Sequence, residues 1–181
     1  MLDLAKIEVG QFDLEEGPAD VVQLVHDSIT IVKGAADAKR ISIRPRLTGG
    51  CHLLCDRRRV RQVLINILSN AVKFTDTHGT VDIFADVDAE GRLAIAIRDN
   101  GRGVAEEDLA IVMQPFGQVR SGPYETAEGT GLGLPISKNL VELHNGIFDI
   151  SSTLGEGTEV RIVFPSDRVV PPPFARIECV S

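Results

Sequence analysis

Residues 56–74, DRRRVRQVLINILSNAVKF, carry the most regular apolar pattern in the chain. Apolar side chains recur there at three- and four-residue spacing, which predicts one long amphipathic helix. Asn66 and Asn70 are four residues apart and therefore share one face of that helix, with Lys73 three residues further on. Two carboxamides and an ammonium in this line suit a hydrated Mg²⁺ ion and its phosphates, because magnesium prefers oxygen ligands. A polar helix face exposed to water fits the same residues equally well.

Helical and strand patterns alternate on both sides of this segment. Apolar spacing predicts further helices over residues 20–38 and 132–143, and a short helix over 105–112. Five segments alternate with the period of a strand, namely 41–47, 80–87, 92–98, 146–152 and 158–164. Pro45 favours a sheet edge for the first of them. The order predicts an α/β two-layer sandwich, with about three helices packed on a mixed, largely antiparallel five-stranded sheet.

Composition excludes several classes of protein. The chain has 181 residues, with 26 acidic against 19 basic side chains and a net charge of −7, which disfavours nucleic acid as a partner. No apolar run approaches the roughly 20 residues of a membrane span, so we expect no direct membrane contact in this segment. Three cysteines fit a reducing compartment, and we expect the cytoplasm. Cys51 and Cys55 have no second pair of ligands near them, so a zinc site is not expected.

Glycine-bearing segments follow the long helix. Residues 99–103, Asp-Asn-Gly-Arg-Gly, come directly after a predicted strand, and their carboxylate suits an exocyclic amine or simply begins a turn. Residues 129–133, Gly-Thr-Gly-Leu-Gly, lead into a helix N-terminus, where free N–H groups favour phosphate. A flexible loop ending in a helix cap is the plainer interpretation of that segment. Residues 155–158, Gly-Glu-Gly-Thr, indicate by themselves only a hairpin turn.

Taken in this order, the segments resemble the N, G1, F, G2 and G3 boxes of the sensor histidine kinases, in the ATPase superfamily shared with gyrase, Hsp90 and the mismatch-repair ATPases. Residues 115–118, Pro-Phe-Gly-Gln, stand for the F box. The resemblance covers about residues 14–165 and implies the Bergerat-type ATP-binding fold, with residues 113–131 as its mobile lid. Residues 1–13 resemble the end of a dimerisation helix, and residues 166–181 are expected to form an extended tail. The Gly-Gln-Val sequence at 117–119 and the Gly-Leu-Pro sequence at 133–135 resemble those of alphaproteobacterial cell-cycle kinases.

The resemblance implies roles for individual residues. The expected catalytic residues are Asn70, which would ligate Mg²⁺, Asn66, which would assist at the phosphates, and Lys73, which would contact phosphate. Phe74 would line the base pocket, and Asp99 would accept a hydrogen bond from the adenine amine. The other expected contacts to ATP are Gly101, Gly103, Phe116, Gly129, Thr130, Gly131, Leu132, Gly133 and Thr158.

The implied reaction is transfer of the γ-phosphate of MgATP to a histidine on a separate dimerisation domain of the same parent protein. The parent is expected to be a homodimer that signals to a response regulator. His26 with Asp27 imitates a phosphoacceptor box, but Ile31 stands where that box has proline. Too few residues separate His26 from Asn70 to contain a dimerisation hairpin. We therefore interpret His26 as a bystander on the surface.

Three alternatives remain at this point. The first is a degenerate module that binds nucleotide or a partner without catalysis. The second is another ATPase of the superfamily. The resemblance implies that such ATPases have a glutamate where Asn66 stands, which activates water. The amide of Asn66 cannot act as a base. The third is an anti-sigma-factor serine kinase, which the segment before residue 14 fits less well.

Overall fold

The chain was analysed as a computed structural model, which describes residues 13–48, 50–118 and 130–171. The described helices are α1 (Val21–Ala38), α2 (Arg57–Phe74), α3 (Glu106–Val112) and α4 (Gly133–Leu143). The strands are β1 (Glu16–Asp20), β2 (Ser42–Leu47), β3 (His52–Asp56), β4 (Thr80–Val87), β5 (Leu93–Asp99), β6 (Ile147–Thr153), β7 (Gly157–Phe164) and β8 (Val169–Val170). A 3₁₀ turn, Ser166–Arg168, precedes β8.

The main sheet has five strands in the order β2-β4-β5-β7-β6. Only the β2–β4 pair is parallel, and the other three pairs are antiparallel. Pro45 lies in the edge strand β2, where its missing N–H costs no ladder bond on the open side. The predicted α/β sandwich on a mixed, largely antiparallel sheet is confirmed.

A second sheet, with the order β1-β3-β8, was not predicted. β1 has the sequence EGPAD, whose glycine and proline are depleted in strands, and it forms because each of its residues pairs with one of β3. Residues 166–170, which the sequence assigns to the tail, form the 3₁₀ turn and β8, and β8 pairs with β3. The small sheet therefore joins the two ends of the described chain.

The core lies between the helices and one face of the main sheet. The buried face of α2 contributes Val60, Val63, Leu64, Ile67 and Leu68. Each such side chain, fully buried, stabilises the fold by roughly 1.5–3 kcal/mol. This burial fixes the rotation of α2, so that Asn66 and Asn70 are only half-buried on the adjoining face.

Two buried polar groups hold α2 and α4 side by side. Asp56 caps α2 by accepting hydrogen bonds from the N–H groups of Arg58 and Arg59. His144, which follows α4 and is fully buried, accepts a hydrogen bond from Asp56 N at Nε2 (3.0 Å). Its Nδ1 is 2.7 Å from the carbonyl oxygen of Leu140, to which it donates, so the ring is neutral. The start of α2 is thereby tied to the end of α4, and the two helices run antiparallel.

Candidate functional site

A buried carboxylate stands at the end of the central strand β5. Asp99 is 8% exposed, and its Oδ1 accepts hydrogen bonds from the backbone N–H groups of Gly101 (2.9 Å) and Thr158 (3.3 Å). Oδ2 accepts none from the described residues. Burial raises the pKa of Asp99 above its ordinary value, and the two N–H donors oppose that rise. A carboxylate held in this way presents one oxygen to a further donor.

Three glycines let backbone segments meet tightly around Asp99. A Cβ on Gly101 would overlap the carbonyl oxygen of Phe74, at the end of α2. A Cβ on Gly103 would overlap the carbonyl of Thr153, and one on Gly157 would overlap that of Asp99. The protein's own packing therefore requires glycine at these three positions.

Hydroxyl groups complete the network at this end of the sheet. Thr158 pairs with Asp99 across the β5–β7 ladder, and its Oγ1 is 2.8 Å from Ser152 Oγ. Ser152 Oγ also accepts a hydrogen bond from Val104 N and contacts the carbonyl oxygen of Gly157, both at 2.8 Å. The loop after β5 and the β6–β7 turn are thus tied together before any ligand is considered.

The polar face of α2 meets the beginning of α4. Asn66 Nδ2 donates to the carbonyl oxygen of Gly133 (3.4 Å) and to Ser137 Oγ (3.3 Å). A Cβ on Gly133 would be 3.9 Å from both Asn66 Cγ and Asn70 Nδ2, which is ordinary contact distance. The structure therefore brings two predicted site residues of α2 to the N-terminus of α4.

The end of α2 contacts the loop that carries Asp99. Lys73 Nζ and Arg102 Cζ each lie 4.8 Å from the ring centroid of Phe74, so both cations interact with that ring. Arg102 N donates to the carbonyl of Phe74 (3.2 Å). Lys73 and Phe74 consequently lie between the carboxylate of β5 and the amides of α2.

Residues on the two sides of segment 119–129 pair with each other. Phe116 N donates to the carbonyl of Gly131 (3.0 Å), and both residues have positive φ angles, 64° and 66°. Thr130 is exposed, and its Oγ1 accepts a 3.4 Å hydrogen bond from the N–H of Leu132, the N-cap of α4. Gly129 and the central part of the predicted lid lie outside the described residues.

Several residues that make contacts at the site were not predicted from the sequence. Ser152 contacts Thr158 from the paired strand β6, and Ser137 contacts Asn66 from α4; no motif marks either serine. Arg102 and Asn100 lie inside the quoted Asp-Asn-Gly-Arg-Gly segment, and their side chains stack on Phe74 and accept from Thr80 N (2.7 Å), respectively. The signal that could have identified these two residues is that they are polar and lie close to Asp99 in the sequence.

The site described above does not include His26, Cys51 or Cys55. His26 is exposed on α1, and Cys51 is half-buried. Burial raises the pKa of Cys55 to about 12, which makes its thiol inert. Across residues 13–48, 50–118 and 130–171, no group of three or more His, Cys, Asp or Glu side chains is placed to hold a metal ion.

Comparison with known proteins places this arrangement in a family. Residues 55–168 match the family described as histidine kinase-, DNA gyrase B-, and HSP90-like ATPase. The chain belongs to this ATPase family. Within it, the chain is similar to sensor histidine kinases. The cell-division control histidine kinase PdhS of Brucella anthropi is 35% identical over 179 residues, which are 94% of this chain and 17% of that protein.

Two further similarities extend the comparison. The non-motile and phage-resistance protein of Caulobacter vibrioides is 38% identical to this ATPase domain over 168 residues, 91% of the chain and 20% of that protein. Full-length ShkA, solved in complex with AMPPNP, superimposes with a TM-score of 0.81 at 28% identity, over 94% of this chain and 35% of that one. The predicted similarity to sensor histidine kinases of the cell-cycle type is confirmed, and the chain spans about a fifth of the curated relatives described here.

No helix in the described part of the chain has the length and apolar character of a membrane span.

Proposed function

We propose that this domain binds MgATP and transfers its γ-phosphate to a histidine on the dimerisation domain of the same parent protein. The observation that carries the proposal is the arrangement of Asp99, whose Oδ1 is fixed by two backbone donors while Oδ2 is left to a further donor. The exocyclic amine of adenine is such a donor, and a desolvated acceptor discriminates strongly for it. Phe74 and Thr158 flank this position, and they are the proposed walls of the base pocket together with Gly101 and Gly103.

The proposed phosphate end lies between α2 and α4. The N-terminus of α4 has free N–H groups and a partial positive charge, both of which favour phosphate. Gly131, Leu132 and Gly133 form that N-terminus, and Lys73 adds a full positive charge. Phe116, Gly129 and Thr130 belong to the predicted lid, residues 113–131, which we propose closes over the phosphates.

The donor set of α2 fits Mg²⁺. Amide oxygens are hard ligands of the kind that magnesium accepts alongside water, and Asn70 would hold the ion with Asn66 beside it. When bound, Mg²⁺ neutralises charge that develops on the phosphates. Asn66 is oriented by Gly133 and Ser137, and because its amide cannot take a proton it does not activate water. This residue favours transfer to an acceptor over hydrolysis.

The proposed setting follows from the same reaction. Phosphoryl transfer needs the acceptor histidine in line with the γ-phosphate at near-attack distance, which a tethered dimerisation domain supplies. We propose that the parent is a homodimer acting in the cytoplasm and that a response regulator receives the phosphoryl group.

The test mixes this domain with the separately purified dimerisation domain of its parent and γ-labelled ATP. We expect slow, acid-labile labelling of the dimerisation domain with wild type, and its loss with Asn70→Ala. Asn139→Ala, which changes an asparagine on α4 that takes no part in the proposed site, is the matched control and should label normally. Tight ATP binding without labelling would indicate the degenerate module, and release of phosphate without labelling would indicate an ATPase.

A further inference from the structure

The carbonyl groups at the C-terminal end of α2 accept hydrogen bonds from several parts of the chain. The last four carbonyls of any helix lack partners within the helix. In α2 the first of these, that of Ala71, accepts hydrogen bonds from Thr75 N (3.1 Å) and Thr75 Oγ1 (2.6 Å). The fourth, that of Phe74, accepts from Arg102 N (3.2 Å). The two carbonyls between them require another donor.

Lys39 supplies that donor from a different helix. Its Nζ donates to the carbonyl oxygens of Val72 (3.1 Å) and Lys73 (2.6 Å), and also to that of Thr75 (2.9 Å). An ammonium has three N–H donors, so these contacts use all of them. A positive charge at a helix C-terminus is also favoured by the helix dipole.

The backbone of Lys39 is held as firmly as its side chain. Lys39 is the C-cap residue of α1, and its N–H group donates to the carbonyl of Ala35 (3.4 Å). Its own carbonyl accepts a hydrogen bond from His78 N (3.0 Å), in the turn that follows α2. These backbone hydrogen bonds fix the position of Lys39, and its ammonium group joins the end of α1 to the end of α2.

We infer that Lys39 is a positioning residue for the nucleotide site. The inference rests on the proposed function, in which Lys73 contacts phosphate and Phe74 lines the base pocket. Both residues belong to the turn whose carbonyls Lys39 holds. Without the ammonium, these partly buried carbonyls lose their donor and the turn opens in part of the population. Apparent affinity then falls in proportion to the fraction that remains closed.

The experiment compares calorimetric titrations of MgATP into wild type, Lys39→Met and Lys33→Met, at a temperature where circular dichroism shows each to be folded. Lys33 is an exposed lysine of the same helix, and its substitution is the matched control. We expect Lys39→Met to bind MgATP about tenfold more weakly, as it would if about a tenth of the molecules kept the turn closed. Lys33→Met should match wild type.

A purely structural role predicts a different pattern. It lowers the unfolding temperature of Lys39→Met and leaves the affinity of the folded protein unchanged, and that result would overturn the inference. Lys39→Arg, which keeps charge and donors, should bind within about threefold of wild type. If Lys39→Met does not fold, Lys39→Gln replaces it. Lys39→Gln should then bind MgATP more weakly than Lys39→Arg, and wild-type affinity would again overturn the inference.

The proposed function is tested separately in the same series. Asp99→Asn removes the proposed adenine acceptor and should abolish binding whatever Lys39 does. Loss of binding in Asp99→Asn with full binding in Lys39→Met contradicts the inference alone. Wild type that fails to bind MgATP contradicts the proposed function as well.

Discussion

Gly133, at the start of α4, differs from the glycines around Asp99 in what surrounds it. Around Asp99, a Cβ on Gly101, Gly103 or Gly157 would overlap backbone of the protein itself. At the start of α4, a Cβ on Gly133 would only reach ordinary contact, 3.9 Å, with the amides of α2. The proposed adenine end, around Asp99, is thus packed tightly by the fold, while Gly133 at the proposed phosphate end has space between it and the amides of Asn66 and Asn70. Glycine therefore serves folding around Asp99 and, we propose, ligand access at Gly133. Gly131, just before α4, belongs with the first group, because its Cβ would lie 2.7 Å from the backbone of Phe116.

The largest expected effect is at the adenine end. Gly157→Ala should lower the free energy of unfolding by about 4 kcal/mol, because strain at positive φ adds to overlap with Asp99. Gly155→Ala is the matched control: φ is also positive there (82°), but no atom lies within 4 Å of the added Cβ. It should cost only about 1 kcal/mol. Urea unfolding measures both, and equal losses would refute the packing explanation.

A glycine substitution at the phosphate end should show the opposite pattern. Gly133→Ala is expected to leave stability unchanged or slightly raised, since alanine is the better helix former. Its methyl group takes space beside Asn66 and Asn70, and MgATP should bind about tenfold more weakly, a cost of about 1.4 kcal/mol. Calorimetry and urea unfolding of one preparation check both statements. A large loss of stability with normal binding would make the two ends alike.

Low pH should weaken the helix pair that forms the phosphate end. Burial lowers the pKa of His144 below its ordinary value of 6.5, so the unfolded chain takes up a proton near that pH while the folded chain does not. The stability that this neutral histidine contributes is therefore complete above pH 6.5 and declines as the pH falls further. Urea unfolding from about pH 7.5 to about pH 5.5 should show the decline. It should be smaller in His144→Gln and unchanged in the exposed control His26→Gln.

The pKa shift of Asp99 has the opposite effect on the pH dependence of stability from that of His144. Burial raises the pKa of this carboxyl, so the folded state holds a proton that the unfolded state has released at pH values just above 3.8. Ionisation of Asp99 therefore costs stability at neutral pH. Asp99→Asn keeps an oxygen for Gly101 N and Thr158 N and should be at least as stable as wild type. Marked destabilisation in urea at pH 7 would show that the carboxylate serves the fold.

The sequence made α2 and its polar face predictable, because helical periodicity and the Asp56 cap are local properties. The motif residues were predictable through their resemblance to a family. β1 was not, since Gly17 and Pro18 argue against a strand and only pairing with β3 creates one. Lys39 was not either, because spacing along the chain does not reveal which side chain closes the end of another helix.

The most direct measurement titrates ADP without Mg²⁺, and then MgATP, into wild type, Asp99→Asn and Asn70→Ala. We predict that Asn70→Ala binds metal-free ADP within about threefold of wild type and loses most of the gain in affinity that Mg²⁺ and the γ-phosphate provide. Asp99→Asn should bind neither nucleotide, because the adenine end no longer presents its acceptor. Equal binding of ADP by Asp99→Asn and wild type would contradict the account, because adenine recognition would then lie elsewhere.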